Sequence, residues 1–151
     1  MKVIIQKVKQ AKVVVEEEIK GQIKHGYMLL VGIEETDTVE DLKRAALKIT
    51  KLRLFDDEHG KINLSIQDVG GEILSISQFT LAADIRKGNR PSFIGAMEQN
   101  KAHQYYELFN EFLREENIHV ETGVFQAHMN VILDNDGPVS IVMDVKDGKV
   151  L

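Results

Sequence analysis

The chain has 151 residues, of which 43% are hydrophobic, and it contains no cysteine. This length suffices for one domain with a buried core, and the lack of cysteine excludes disulfides, thiolate metal ligands and a cysteine nucleophile. The formal net charge of −5, from 24 acidic and 19 basic side chains, argues against a large nucleic-acid-binding surface, because phosphate contacts usually require a basic surplus.

The sequence also predicts the cellular compartment of the protein. It has no apolar run approaching the ~18 residues of a transmembrane helix. Its first 15 residues mix lysines with β-branched residues, without the basic start, apolar centre and cleavage site of a signal peptide. We therefore expect a single domain over residues 1–151, cytoplasmic and without a membrane partner.

The first third of the chain is rich in strand-forming residues. Two β-rich segments are predicted on either side of Gln10-Ala11, the second reaching Ile19. A short apolar strand follows over residues 27–31 and ends at Gly32.

A first helix is predicted from Val39 to Leu52, where apolar residues recur at three- and four-residue spacing. Asp37 is the predicted N-cap of this helix, with Glu40 completing a capping box.

The middle of the chain predicts a strand, a polar loop and a second helix. The strand covers residues 73–77, the loop covers residues 84–92, and the helix extends to about Asn117. Four apolar residues are predicted to share one face of this helical region: Met97, Tyr105, Phe109 and Phe112.

The last segment alternates apolar and polar residues twice, over residues 129–133 and 139–145. The turn-forming residues Asn135-Asp136-Gly137-Pro138 separate the two runs, so we expect a hairpin-like pair. Strands without regular helix alternation indicate an α+β fold, with a largely antiparallel or mixed sheet curling around a core with two main helices.

Common catalytic signatures are absent from the sequence, including the zinc-protease, phosphate-loop, nucleophile-elbow and dinucleotide motifs. The five histidines have no metal-ligand spacing, so we expect no metal and no other cofactor.

Three segments remain as candidates for chemistry. In residues 77–81, Ser-Gln-Phe-Thr-Leu, hydroxyls and backbone N–H groups at a strand end can converge on one carbonyl, although they can equally cap the strand. Residues 86–92 place three cations close together and suit phosphate contacts, or form an ordinary solvated loop. Residues 135–140 either form a simple turn or include a cis Gly-Pro bond.

Together these segments resemble the D-aminoacyl-tRNA deacylase (D-tyrosyl-tRNA deacylase) family. The family pattern has Ser-Gln-Phe-Thr-Leu, here residues 77–81, and Lys-Gly-x-Arg-Pro-Ser-Phe, here residues 87–93. It also has Asn-x-Gly-Pro-Val-Thr, here residues 135–140, with Ser140 in place of the usual Thr and Asp136 at a position often held by a small polar residue. The opening residues and the total length are similar too, so the resemblance covers essentially the whole chain.

The resemblance implies a homodimeric hydrolase that removes a D-amino acid, or glycine, from tRNA as translational proofreading. The implied catalytic segment is Ser77, Gln78, Phe79 and Thr80, with the Phe79 N–H as oxyanion donor and Thr80 as a positioning group. The implied chiral filter comprises Asn135, Gly137, Pro138 and Val139, reaching into the partner subunit's pocket to exclude L-amino acids. The basic loop residues Arg86, Lys87 and Arg90 are the predicted tRNA contacts, and DNA is not an expected partner.

Two non-enzymatic interpretations remain open at this point. One is a module that binds aminoacyl-tRNA ends or free D-amino acids without reaction, and the other is a purely structural dimer. Hydrolysis of D-aminoacyl-tRNA by unconsumed protein separates the enzyme from both.

Overall fold

The computed structural model describes all 151 residues and contains nine strands, two α-helices and one short 3₁₀ helix. The elements in chain order are β1 (Lys2–Val15), β2 (Glu18–Ile23), β3 (Gly26–Gly32), α1 (Val39–Lys51), β4 (Arg53–Asp56), β5 (Ile62–Ser65), β6 (Glu72–Ser77), the 3₁₀ helix (Phe79–Ala82), α2 (Gln99–Glu115), β7 (Val120–Thr122), β8 (Asn130–Lys146) and β9 (Lys149–Val150).

Seven of these strands form one mixed sheet in the order β7-β6-β3-β1-β8-β9, with β2 also paired to β1. β1 is antiparallel to β2, β3 and β8, whereas β3, β6 and β7 run parallel to one another. This arrangement confirms the predicted α+β class with a mixed sheet and two main helices. β4 and β5 form a separate two-stranded hairpin that the sequence did not indicate.

Both faces of the sheet are covered by apolar side chains. Alternate residues of a strand point to opposite faces, and Tyr27 and Leu29 belong to a core of 22 residues that includes both helices. Met28 and Leu74 belong to a smaller core of 7 residues on the other face. The near-continuous apolar sequence of β3 follows from this double burial.

Two strand predictions were wrong for related reasons. β1 is one strand through Gln10 and Ala11, because both of these residues pair with β8, as do residues on either side of them. The predicted tail hairpin is also absent. Both halves of β8 pair antiparallel with β1, so the chain continues through Asn135-Asp136-Gly137-Pro138 in the same direction.

The first helix is confirmed, but its cap is one residue later than predicted. Thr38 is the N-cap, and its hydroxyl accepts from the N–H of Asp41, whose carboxylate accepts from the Thr38 N–H in return. The predicted cap, Asp37, is instead buried and accepts a hydrogen bond from the ammonium group of Met1. Burial is the main influence on the Asp37 carboxyl and raises its pKa, while the ammonium group opposes this increase.

The second helix is confirmed in position, with a buried face slightly rotated from the prediction. Phe109 is fully buried, whereas Tyr105 and Phe112 are only partly buried. Tyr106 and Leu113 complete the buried side. The structure contains no helix with the length and apolar character needed to cross a membrane.

Candidate active site

A cleft with a volume of about 620 Å³ lies where β6 ends and α2 begins. This volume is in the range of small-molecule sites, and most of the lining is apolar. The lining residues are Ile76, Ser77, Gln78, Phe79, Ala96, Met97, Gln99, Ala102, Phe125, Gln126, Ala127, His128, Met129 and Val131.

Three of the four predicted catalytic residues line this cleft. Ser77 and Gln78 are partly buried, and the Phe79 side chain is 57% exposed with its ring edge against Phe93 at a centroid distance of 5.1 Å. Thr80 is not part of the lining. Its hydroxyl accepts a hydrogen bond from the Gln78 side-chain amide, and no histidine or carboxylate is bonded to it.

The chain bends sharply after Gln78 because of a close approach to β3. The Gln78 N–H donates to the Val31 carbonyl at 2.8 Å. At the neighbouring Gly32, an added Cβ would lie 2.8 Å from the Leu81 Cβ and 3.1 Å from the Gln78 carbonyl oxygen. A glycine is therefore required for the 3₁₀ helix to pack directly on the end of β3.

Within the 3₁₀ helix, the Leu81 N–H donates to the Gln78 carbonyl at 3.3 Å and the Ala83 N–H donates to the Thr80 carbonyl at 3.1 Å. The turn itself therefore offers no acceptor to the N–H groups of Phe79 and Thr80, which precede its first hydrogen bond. Of these two residues, only Phe79 lines the cleft.

Sequence analysis missed the wall formed by residues 125–131. This segment is largely irregular, and Gln126 adopts a left-handed conformation with φ of 68°. Phe125 stacks on His103, with ring centroids 4.3 Å apart, and His128 also lines the cleft. No periodicity or motif marks residues 125–128, because they reach the cleft through tertiary packing, whereas Met129 and Val131 belong to the predicted alternation of the tail.

The predicted chiral filter forms a four-residue bulge in β8. Val8 pairs with Asn135 and Gln6 pairs with Ser140, so residues 136–139 stand opposite the single residue Lys7. The Gly137-Pro138 bond is cis, and both residues are exposed. We call residues 136–139 the β8 bulge.

Asn135 holds the two ends of the β8 bulge together. Its side-chain oxygen accepts from the Val139 N–H at 3.1 Å, and its side-chain nitrogen donates to the Ser140 hydroxyl at 3.0 Å. Gln6 donates to the same hydroxyl at 3.1 Å. Both contacts are made to the hydroxyl oxygen of Ser140. Serine and threonine share this group, so serine in place of threonine retains both hydrogen bonds.

The β8 bulge and the cleft are separate features of one chain, because none of Asn135, Gly137, Pro138 and Val139 lines the cleft. β8 itself is an edge strand that pairs with β9 only at Val145 and Lys146. Exposed apolar side chains lie along it at Ile132, Ile141 and Val142.

The basic loop is exposed and does not line the cleft. Mutual backbone hydrogen bonds between Asp84 and Ser92, at 2.8 and 2.9 Å, close its base. Arg86 binds the Asp84 carboxylate with two nitrogens, at 2.9 and 2.6 Å, and lowers the pKa of Asp84. Lys87 and Arg90 form no ion pair, so they are the cations of this loop available to a partner.

Known proteins of one family are similar to this chain over nearly its whole length. The model of the D-Tyr-tRNA(Tyr) deacylase family matches residues 4–144. A Lactobacillus gasseri protein named D-aminoacyl-tRNA deacylase is 53% identical over 145 residues, which cover 96% of this chain and all of that protein. A protein of the same name from Geobacillus sp. (strain WCH70) is 54% identical over 147 residues, 97% of each chain.

Two solved structures share the fold. One, titled c-Myc DNA Unwinding Element Binding Protein, superposes with a TM-score of 0.90 at 40% identity, over 95% of this chain and 98% of that one. The other, titled as a probable eukaryotic D-amino acid tRNA deacylase, has a TM-score of 0.79 at 17% identity, over 93% and 97% of the two chains.

The close approach at Gly32 gives a stability prediction. In Gly32→Ala, the added methyl group meets backbone as well as side-chain atoms, so we expect the free energy of unfolding to fall by about 1–3 kcal/mol. Gly95→Ala is the matched control, because its nearest contact would be the Ala82 carbonyl oxygen at 3.8 Å. Urea denaturation of both variants measures the difference, and equal stability of the two would contradict the packing argument.

Proposed function

Because the chain belongs to the D-Tyr-tRNA(Tyr) deacylase family, we propose that it hydrolyses the ester between a D-amino acid and the terminal ribose of tRNA. The observation that carries the proposal is a full-length family match together with a cleft lined by the Ser77–Phe79 segment. We extend the proposal to glycyl-tRNA, since glycine has no side chain to be rejected. The reaction would take place in the cytoplasm, where the aminoacylated substrate is used.

The chemistry we propose relies on main-chain donors. Water adds to the ester carbonyl carbon, the bond to the ribose oxygen breaks, and that oxygen takes up a proton. The Phe79 N–H, which has no acceptor within its own 3₁₀ turn, would donate to the tetrahedral oxyanion, the role that main-chain donors play in other acyl transfers. The 2′-hydroxyl of the substrate would assist the proton transfer, because no side-chain base is bonded to Thr80.

Chiral selection is proposed to come from the β8 bulge of a second subunit. The bulge does not line the cleft of its own chain, and β8 offers an open edge with exposed apolar residues. A twofold dimer would let each bulge reach the partner's cleft, and its main-chain atoms would then occupy the space that an L side chain requires.

The basic loop is proposed to contact the tRNA backbone. Lys87 and Arg90 would carry most of this contact, because the charge of Arg86 is already balanced by Asp84. The loop and the cleft belong to the same connection between β6 and α2, so a tRNA end in the cleft would lie near these cations.

A second candidate function is nucleic-acid binding without hydrolysis. The relative that is 40% identical is named for binding a DNA unwinding element. The net charge of −5 favours a small nucleic-acid contact over an extended one, so we rank this candidate second.

Deacylation of matched D- and L-tyrosyl-tRNA by the purified protein tests the proposed function. We expect multiple turnovers of the D ester and no detectable hydrolysis of the L ester. Binding of both esters without turnover would instead support the non-catalytic candidate.

Thr80→Ala separates positioning from nucleophilic catalysis. Loss of a covalent nucleophile costs on the order of 10⁶ in turnover, whereas loss of a positioning hydroxyl should leave the rate within about two orders of magnitude. Single-turnover kinetics with D-tyrosyl-tRNA measures the rate, and Thr80→Ser serves as the control that keeps the hydroxyl. Trapping of an acyl group on Thr80 would refute the positioning role.

Gly137→Ala tests the filter. Gly137 has φ of +133°, and an added Cβ would lie 2.8 Å from the Val139 Cγ2, so we expect the bulge to shift. D-ester turnover should fall while the free energy of unfolding changes little, because the bulge is exposed.

Asp136→Ala is the control within the same bulge, because Asp136 already has a Cβ and the substitution only shortens its side chain. Sedimentation of each variant reports whether the dimer persists. Wild-type D turnover with continued exclusion of the L ester in Gly137→Ala would place the filter elsewhere.

A further inference from the structure

The exposed side of α1 carries a row of cations that the proposed catalytic function leaves unexplained. The segment between Asp41 and Asp56 contains Lys43, Arg44, Lys48, Lys51 and Arg53 and no acidic residue. This is an unusual local excess in a protein with a net charge of −5.

Three of these cations lie one above another on the helix. Arg44, Lys48 and Lys51 are separated by four and then three residues, a spacing that places side chains on one face. All three are exposed. At a rise of 1.5 Å per residue, the row spans about 10 Å. We call Arg44, Lys48 and Lys51 the α1 cation row.

No member of the row forms an ion pair, whereas Lys2 pairs with Asp144 and Arg114 pairs with Glu111. The opposite face of α1 is fully used by the core, through Leu42, Ala46 and Ile49 among others. The row is therefore a positive surface directed at solvent.

The position of α1 relates this surface to the cleft. Glu34, shortly before the helix, forms a β-bridge with Ala96, which lines the cleft. α1 extends for 13 residues from Val39, and the carbonyl of its C-cap residue Leu52 accepts from the Tyr27 hydroxyl at the start of β3. Because β3 and β6 are parallel and the cleft lies at the end of β6, the first turns of α1, with Arg44, are the end of the helix nearer the cleft.

We propose that the α1 cation row binds the phosphate backbone of the tRNA body while the aminoacylated end occupies the cleft. This inference rests on the proposed function and adds a second contact surface to it. A cleft of about 620 Å³ can hold only the terminal residue of so large a polyanion, so the remaining nucleotides must lie on the protein surface. Phosphates would supply ion-pair partners for Lys48 and Lys51, whereas Arg44 has Glu40 one turn before it on the same face.

The test compares two variants with the same change in charge. Lys48→Gln/Lys51→Gln removes two members of the row, and Lys24→Gln/Lys61→Gln removes two exposed lysines in loops outside it. For the row variant we expect the affinity for uncharged tRNA at 0.1 M salt to fall by at least about tenfold, and the log–log salt slope to decrease by about two. The control variant should bind as the wild type does.

A D-aminoacyl-adenosine ester provides the second measurement, because it fills the cleft and has no phosphate. Its turnover should be unchanged in the row variant, which localises the defect to the RNA body. Loss of this turnover would show that the substitutions act through the fold, and it would overturn the proposal. Unchanged tRNA affinity, or an equal loss in the control variant, would overturn it as well.

Two further outcomes are informative. If the row variant loses binding to phosphatidylserine vesicles but keeps its affinity for tRNA, the row serves a lipid surface and the RNA proposal is wrong. If the wild-type protein hydrolyses neither substrate, the proposed function fails, and the tRNA-binding measurement still decides the role of the row.

Discussion

The antiparallel pairing of β1 with β8 is the constraint on which the rest of the structure depends. Residues 2–6 and 10–14 of β1 are hydrogen-bonded to the two halves of β8, and β3 and β2 are attached to the opposite edge of β1. Because the antiparallel ladder resumes after the β8 bulge, with its register shifted, the bulge is held by paired strands at both ends. The same ladder anchors β3, whose last residues fix the position of Gln78 and the 3₁₀ helix.

The sequence predicted the local elements better than their connections. Both helices and the strand that ends at Ser77 follow from periodicity, since one apolar face of each helix enters the core. The tail was mistaken for a hairpin because Asn-Asp-Gly-Pro has the residues of a turn. A bulge uses the same residues, and only a β1 strand of 14 residues, long enough to pair with both halves, distinguishes the two. The wrong prediction of Asp37 as N-cap has a similar origin. The Asp37 carboxylate binds the ammonium group of Met1, which is distant in sequence, so no local pattern reveals this partner.

The candidate site was predictable only where a motif marked it. Ser77, Gln78 and Phe79, which the motif marked, line the cleft, whereas Thr80 does not and residues 125–128 of its wall had no signal. The pattern of charged residues in the sequence also did not predict which cations form ion pairs. The three cations of the basic loop looked equivalent in sequence, yet the structure pairs Arg86 with Asp84 and leaves Lys87 and Arg90 without an ion pair.

The proposed use of the Phe79 N–H as a main-chain donor also affects how the site tolerates change during evolution. A backbone donor is present whichever non-proline residue occupies its position, so side-chain drift there alters the shape of the cleft without removing the donor. What must persist is the path of the chain, which depends on the end of β3 and on Gly32. Selection on such a site would fall on packing residues outside the cleft, and inactive variants would arise from displaced backbone more often than from lost functional groups.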